Sequence, residues 1–584
     1  MPDSPTRQSR ASVPGLRISL GQVTDKGTKP VNQDFHGAVV PAPHLVASKG
    51  IALALADGIS SSDVSQIASE VAVTSFLQDY FATPESWSVK SAGQRVIQAA
   101  NSWLFSQTRQ SEGRYNLDKG YVCTFTALVL KGRSAHFFHI GDARLLRLSG
   151  NALEPLTQEH RLWSSPEKSY LSKALGIHAS LDMDYGQCEL DLHDCFILMT
   201  DGVYEFVSTT LIREHIREHA DNLDLAAQAV INAALEAGSD DNLSIQIVRI
   251  DALPEHGVSD LNQQLAQLPF APELRSRMPF DGYTVQRELH ASSRSHVFLA
   301  TDDASGDKVV LKLPSVDLRG DPDYLERFLI EEWVARRVDN PHLLKPAHPD
   351  RTPTALYTTF EYIEGQSLHQ WMLDNPTPEL ETVRRIVEQI ARGLQALHRQ
   401  EMLHQDLRPH NVMIDASGNV KIIDFGSVRI AGVAELARDT ASQPILGTAQ
   451  YSAPEYFIGD YADERADLYS LAAITYQMLS GRLPYGPDIA RATTRAAQKR
   501  LRYQSVLDPE RSIPLWVDDV LRKALQPNPD KRQRVLSEFI QDLRKPDPAL
   551  LQRHRPLLES RPLLFWKGLS LGLFIIILLL LAYR

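Results

Sequence analysis

Cysteine is scarce in this chain: Cys123, Cys188 and Cys195 are the three among 584 residues. None has the C-x-x-C spacing of a metal or redox pair. They read as small buried hydrophobes in a reducing compartment, and a disulfide-built fold is excluded. A basic excess is missing too. Lys and Arg number 61 against 72 Asp and Glu, a net charge of −11, so no cationic surface is offered to a phosphate backbone and nucleic acid is not an expected partner. There are no internal repeats or low-complexity tracts, and 43% hydrophobic with 23% charged residues is ordinary for folded domains. The opening residues, MPDSPTRQSRASVPG, contain no apolar core and so no secretory signal.

Long hydrophobic runs are confined to one place. Leu563 to Tyr583 reads LLFWKGLSLGLFIIILLLLAY, close to the ~20 residues that span a bilayer core. Trp566 and Lys567 stand at one end and Tyr583 and Arg584 at the other, residues suited to headgroup level. Arg553, Arg555, Arg561 and Lys567 flank the N-terminal side. The expectation is a C-terminal transmembrane helix (563–583) in a lipid bilayer, after a juxtamembrane stretch (548–562), with everything before it cytoplasmic.

A chain of this length exceeds one core and suggests about three or four domains. From 15 to 250, short apolar strands alternate with helical patterns: IALALADG, CTFTALVL, SAHFFHIGD and CFILMTDG are strand-like, Val64–Tyr80 and Leu223–Ala237 helical. KGRS and SGN read as hairpin turns. A mixed polar linker (251–282) follows. From 283 to 547 strands come first and helices afterwards, the order of an α+β domain.

Three strand-like runs in the first region end in or lead to aspartate, at Asp57, Asp142 and Asp201. Asp241 precedes the strand NLSIQIVRI, and Asp34 sits in VNQD. Like charges gathered at one end of a sheet repel unless divalent cations neutralise them. Hard ions such as Mg²⁺ or Mn²⁺ accept such oxygen ligands, and two of them bridged by water can drive an in-line phosphoryl displacement.

KPVNQD, ALADGIS, CTFTALV, HIGDARL, LMTDGVYE and SDDN stand in the motif order of the metal-dependent PPM (type 2C) protein phosphatases, and 15–250 resembles that family. The resemblance implies an α/β fold, a β-sandwich flanked by helices. It implies that Asp34, Asp57, the Gly58 carbonyl, Asp201 and Asp241 hold two metal ions, and that Asp142 contributes to a third. A substrate-phosphate arginine of the family maps to Lys29, which keeps charge without the bidentate fork. Gln33 stands where an acidic residue is usual, and Ser60 and Ser61 replace a glycine pair.

In the second region VVLKL is an alternating strand carrying Lys312, followed by a helical stripe of Phe328, Glu331, Ala335 and Val338. A carboxylate on an apolar stripe needs a partner. Lys312 suits Glu331, with Glu332 as the alternative. LHQDLRPHNVMID, KIIDFG, YSAPEY and DERADLYSL then make 283–547 resemble the Hanks-type protein kinases across its whole length. The resemblance implies a bilobal fold that binds ATP with Mg²⁺. Lys312 and Glu331 would form the phosphate-facing pair, Asp406 would accept or orient the hydroxyl proton, and Arg408 would contact the transferring phosphoryl group. Asn411 and Asp424 would hold Mg²⁺, Glu455 would pair with Arg532, and Asp467 would support the catalytic loop.

The loop over the phosphates departs from that pattern. Leu289 and Val297 bracket LHASSRSHV, in which His290, Ser292 and Ser295 replace all three glycines, with Arg294 as a compensating charge. Gln405 replaces the usual arginine before Asp406, which weakens the case for a phosphate-sensing switch. Thr440, Ser442 and Thr448 remain candidate autophosphorylation positions, although Thr448, in LGTAQY, is better suited to a structural role close to Asp406. Taken together, the chain looks like a membrane-anchored bacterial bifunctional enzyme. It would phosphorylate proteins on Ser/Thr, itself included, and dephosphorylate the same residue types. The alternative is a phosphatase regulated by a nucleotide-binding pseudokinase.

Overall fold

The computed structural model describes residues 15–165, 168–254, 268–292, 295–318, 321–347, 351, 353–435, 449–508, 511–545 and 562–582. Arg294, Thr440, Ser442, Thr448, Arg553, Arg555, Arg561, Tyr583 and Arg584 lie outside the described residues. The chain divides into two compact units, Met1–Gln264 with Ile430–Arg438, and Leu265–Arg429 with Asp439–Arg584.

Two five-stranded antiparallel sheets form the first unit. One runs β1 (Arg17–Asp25), β12 (Leu243–Ala252), β11 (Cys195–Met199), β6 (Arg144–Ser149), β7 (Ala152–Pro155). The other runs β10 (Asp184–Glu189), β5 (Ser134–Ile140), β4 (Phe125–Lys131), β3 (Ile51–Asp57), β2 (Asp34–Val39). A separate hairpin pairs β8 (Arg161–Ser165) with β9 (Lys168–Leu171).

Strand β3 shows why the sheets stack. Successive side chains point to opposite faces, so Ile51, Leu53 and Leu55 join Phe196, Leu198 and Val248 in the core between the sheets. Ala52, Ala54 and Ala56 face the other way, against α1 (Ser65–Ala82) and α2 (Val89–Gln110). Small residues on that face let helices approach. The outer face of the first sheet is covered by α3 (Thr209–Glu218) and α4 (Leu223–Glu236). The expected helix-flanked β-sandwich is thus formed, and Gly132 (φ 58°) and Gly150 (φ 58°) make the two expected hairpin turns in the left-handed region.

The sequence alone assigns 430–438 to the second domain, yet this stretch clusters with the first unit. Lys131, 1% exposed at the end of β4, explains why: its ammonium donates to the Gly432 carbonyl at 2.6 Å and pairs with Glu435 at 3.3 Å. A Cβ on Gly432 would come within 2.6 Å of the Glu85 carbonyl, so only glycine fits there.

The second unit opens with a sheet ordered β13 (Pro279–Phe280), β14 (Tyr283–Ala291), β15 (Ser295–Asp302), β16 (Lys308–Pro314), β17 (Thr358–Glu361). Helix α5 (Pro322–Arg337) follows, its first turn capped by the Asp321 carboxylate. The remainder is mainly helical. Leu380–Arg399 buries Val383, Ile386, Val387, Ile390, Leu394 and Leu397, a stripe at helical spacing. Strands first and helices afterwards is the order read from the sequence.

The C-terminal run forms a helix, Pro562–Ala582, of 21 residues. Among the described residues no helix is long and apolar enough to cross a membrane.

Candidate active sites

The first unit gathers its carboxylates where strands end. Asp34 opens β2 and Asp57 closes β3, and the two are direct cross-strand partners. Like charges in that position destabilise a sheet unless a cation or proton intervenes. Asp201 follows β11, Asp142 follows β5, and Asp241 precedes β12. Burial pushes the Asp57 carboxyl well above its ordinary range, and Asp34, Asp201 and Asp142 add repulsion. Asp34 is pushed up to about 6, by burial first and then by Asp241. Asp201 is pushed up to about 7 by burial and by Asp142, against the pull of Arg161. Five aspartates therefore share one field, as the motif order implies.

Local partners fix their directions. Thr200 Oγ1 donates to Asp34 Oδ2 at 3.0 Å, while Asp34 Oδ1 is buried with no hydrogen-bond partner. An orphaned buried carboxylate oxygen costs several kcal/mol without a cation, so the donor set fits divalent ions. The Asp57 amide donates to Thr124 Oγ1 at 3.1 Å, and the Gly58 amide donates to the Gln33 carbonyl at 3.1 Å. Lys29 Nζ lies 3.3 Å from Asp241 Oδ1, at the rim of the cluster. Gln33, in place of an acidic residue, donates to Ser62 O (2.7 Å) and Ser65 Oγ (2.6 Å), a purely structural use.

Asp142 Oδ2 accepts from Arg161 Nε at 2.7 Å. Arg161, Thr200 and Thr124 escaped the sequence reading. Arg161 lies 19 residues beyond Asp142 on a separate hairpin, and nothing in its neighbourhood marks it. Among the described residues, only His215, Glu218 and His219 bring three ligand atoms within 4.8 Å of one another. The aspartates are more widely spaced.

In the second unit Lys312, on β16, meets Glu331 of α5 at 2.5 Å. Glu332 instead pairs with Arg336 one turn on, which resolves the alternative. Burial opposes a charged Lys312, but Glu331 and Asp424 outweigh it and hold the ammonium above its ordinary value. Asn411 Nδ2 donates to the Asp406 carbonyl at 2.9 Å and to Asp406 Oδ2 at 3.3 Å. Arg408 Nε lies 3.8 Å from Asp406 Oδ2. Asp424 Oδ1 accepts from the Gly426 amide at 3.0 Å; burial opposes ionisation, yet Lys312 and that amide hold its carboxyl below the usual range.

Asp467, 1% exposed, accepts from the His404 amide (2.9 Å), the Gln405 amide (3.0 Å) and His398 Nε2 (2.9 Å). Those bonds fix the catalytic loop, including Gln405 at φ 64°, a left-handed conformation costly for a residue with a Cβ. His398 was not foreseen: it sits on an amphipathic helix, where histidine carries no signal of its own. Leu289 and Val297 are half-buried on β14 and β15. Between them Ser292 Oγ accepts from the Ser295 amide at 3.1 Å, and the Ser292 amide donates to the Ser295 carbonyl at 3.0 Å. The Ser292 hydroxyl takes up the Ser295 amide, which a glycine at 292 would leave free for phosphate.

Comparison with known proteins assigns these stretches separately. A protein kinase domain model matches residues 283–542, and a protein phosphatase 2C model matches residues 26–237, ending just short of Asp241. The kinase stretch is 27% identical over 264 residues to the serine/threonine-protein kinase PrkC of Bacillus subtilis, covering 45% of this chain and 40% of PrkC. It is 32% identical over 273 residues to PknB of Mycobacterium tuberculosis, covering 45% and 42%. The chain thus spans about two fifths of the length of these relatives. Among solved structures, the kinase domain of Mycobacterium tuberculosis PknI is 28% identical, with 47% of this chain and 98% of that chain covered and a TM-score of 0.36. The Mycobacterium tuberculosis phosphatase PstP/Ppp is 21% identical, with 40% and 99% covered and a TM-score of 0.35.

Proposed function

We propose that this chain, which joins a PP2C-type phosphatase domain to a Hanks-type Ser/Thr kinase domain, phosphorylates proteins on serine and threonine and removes phosphate from the same residue types. The observation that carries the kinase half is the Lys312–Glu331 pair at 2.5 Å, with Asp424 acting on the same ammonium. Lys312 would bind the ATP phosphates, and Asn411 and Asp424 would hold the Mg²⁺ that accompanies ATP. Asp406 takes up or orients the proton of the incoming hydroxyl, and Arg408 faces the transferring phosphoryl group.

For the phosphatase half, Asp34, Asp57, the Gly58 carbonyl, Asp201 and Asp241 would hold two divalent ions, Mg²⁺ or Mn²⁺. When bound, such ions supply a hydroxide nucleophile and neutralise charge on the phosphoryl oxygens. Asp34 leaves one buried oxygen for an ion, and Thr200 fixes the other. Lys29, 31% exposed at the rim, is placed to draw in the substrate phosphate.

The test uses the full chain in detergent, with Asp201→Asn silencing hydrolysis, and γ-labelled ATP. Label on the protein that vanishes when Asp406→Asn is added is the expected result. Bound Mg·ATP with no label would leave a phosphatase governed by a nucleotide-binding domain, a reading the self-closed Ser292–Ser295 hairpin favours.

The C-terminal helix is proposed as a membrane anchor that keeps both catalytic units cytoplasmic. What supports the reading is the sequence run Leu563 to Tyr583, about the ~20 residues that a bilayer core requires. Its Leu571, Phe574, Ile576 and Leu579 side chains are exposed. Deleting 563–584 is expected to move the protein from the membrane pellet to the supernatant. Unchanged pelleting would remove the anchor.

A further inference from the structure

Arg161 opens β8 and is 13% exposed. Its guanidinium spends each nitrogen on a different carboxylate: Nε on Asp142 Oδ2 at 2.7 Å, Nη2 on Asp201 Oδ2 at 2.7 Å, and Nη1 on Glu205 Oε1 at 2.8 Å. This is not the exposed pairing of a surface arginine. Asp142 is 7% exposed and Asp201 24% exposed, so the first contact is removed from water and the second is partly shielded, conditions in which charge-assisted bonds are strong. Glu205, at 47%, is the solvated member.

Charge balance gives the arrangement a meaning. With metal bound and all five carboxyls ionised, Asp34, Asp57, Asp142, Asp201 and Asp241 would carry five negative charges. Two divalent ions supply four positive charges and leave one negative. Lys29 on Asp241 and Glu205 on Arg161 add one charge of each sign and cancel, so a third divalent ion would overshoot, whereas a single guanidinium closes the balance. The guanidinium is also a planar fork, able to bridge two carboxylates that follow separate strands and that a spherical ion would draw to one point.

We infer that Arg161 is the third cation of this centre, standing where a third divalent ion would otherwise bridge Asp142 and Asp201. It is a positioning residue: by occupying Asp201 Oδ2 it leaves the other oxygen to the metal pair. The inference rests on the two-ion reading of the aspartate cluster.

The experiment counts Mn²⁺ bound per chain by equilibrium dialysis of the nucleotide-free full-length protein. Sites elsewhere contribute equally to every variant, so the differences carry the result. Arg161→Ala is expected to bind one more Mn²⁺ than wild type, and adding Asp142→Asn to remove that ion again. Arg161→Lys, which restores one positive charge, is expected to return to the wild-type count. Asp142→Asn alone gives a reading that does not depend on Arg161→Ala folding. Its count should equal wild type, because Asp142 holds a guanidinium and no ion. Loss of one ion in Asp142→Asn, or no gain in a folded Arg161→Ala, would overturn the inference. Asp34→Asn/Asp57→Asn tests the underlying reading separately. It should bind two fewer ions than wild type, and any smaller loss overturns the two-ion centre itself.

Discussion

Asp201→Asn is expected to lower Mn²⁺-dependent hydrolysis of a phosphothreonine peptide by about 10³-fold, roughly 4 kcal/mol of transition-state stabilisation, while leaving ATP-dependent labelling intact. Asparagine keeps the shape and one neutral acceptor, so Arg161 retains a partner at that position. What is lost is a formal charge in direct reach of the metal pair. The fold is expected to survive, because without metal the charge is a burden. The Asp201 carboxyl stands at about 7 in the folded chain against an ordinary value of ~3.9. A carboxyl raised in this way binds more protons folded than unfolded. Metal-free stability therefore falls as pH rises from about 4 through about 7. In chelator, the unfolding midpoint of the first unit should drop between pH 5 and pH 8 in wild type and drop less in Asp201→Asn. Undiminished hydrolysis by the variant would remove Asp201 from the metal centre.

Arg532→Leu is expected to destabilise the second unit by about 3–5 kcal/mol, the cost of stranding a buried charge. Arg532 and Glu455 are 0% and 2% exposed and pair through two parallel bonds, of 2.8 and 2.6 Å. The remaining guanidinium protons go to the carbonyls of Gln526, Arg465 and Pro527. Removing the arginine leaves the Glu455 carboxylate and three carbonyls without these donors. The double variant Arg532→Leu/Glu455→Leu should recover part of the loss, since it no longer buries a lone charge. Urea unfolding of the full chain, followed through the transition that Mg·ATP shifts, reads both. A single-variant loss under ~1 kcal/mol, or a double variant no better than the single, would show that the pair is not the brace described.

The Glu455–Arg532 pair was legible in the sequence because both residues fall in motifs of fixed relative position. The same holds for Lys312 with Glu331. There the helical stripe also gave a physical reason, since a carboxylate at a buried position must find a cation, and the structure excludes Glu332 by turning it to Arg336. The β-sandwich was legible for a related reason. Alternation along β3 assigns leucines to one face and alanines to the other, and each face then needs a cover of its own size.

Arg161 was not legible. Its role depends on a hairpin folding back over the ends of other strands, and no periodicity or spacing encodes that return. Lys131 is similar. A lysine ending a strand reads as solvated, and only the packing of 430–435 shows it buried against Gly432 and Glu435. Ser292 and Ser295 were legible as missing glycines, but not as a hairpin closed by its own hydroxyl.

By itself, then, the sequence determined the two domain types, the strand and helix faces, and the aspartates, lysine and asparagine on which the proposed reactions rest. Those are set by residue type at short range, where chain geometry leaves few choices. The tertiary structure alone decided which cations meet those carboxylates. Arg161 reaches Asp142 and Asp201 because three separately encoded segments end at one place, and electrostatic balance is a property of that place rather than of any segment.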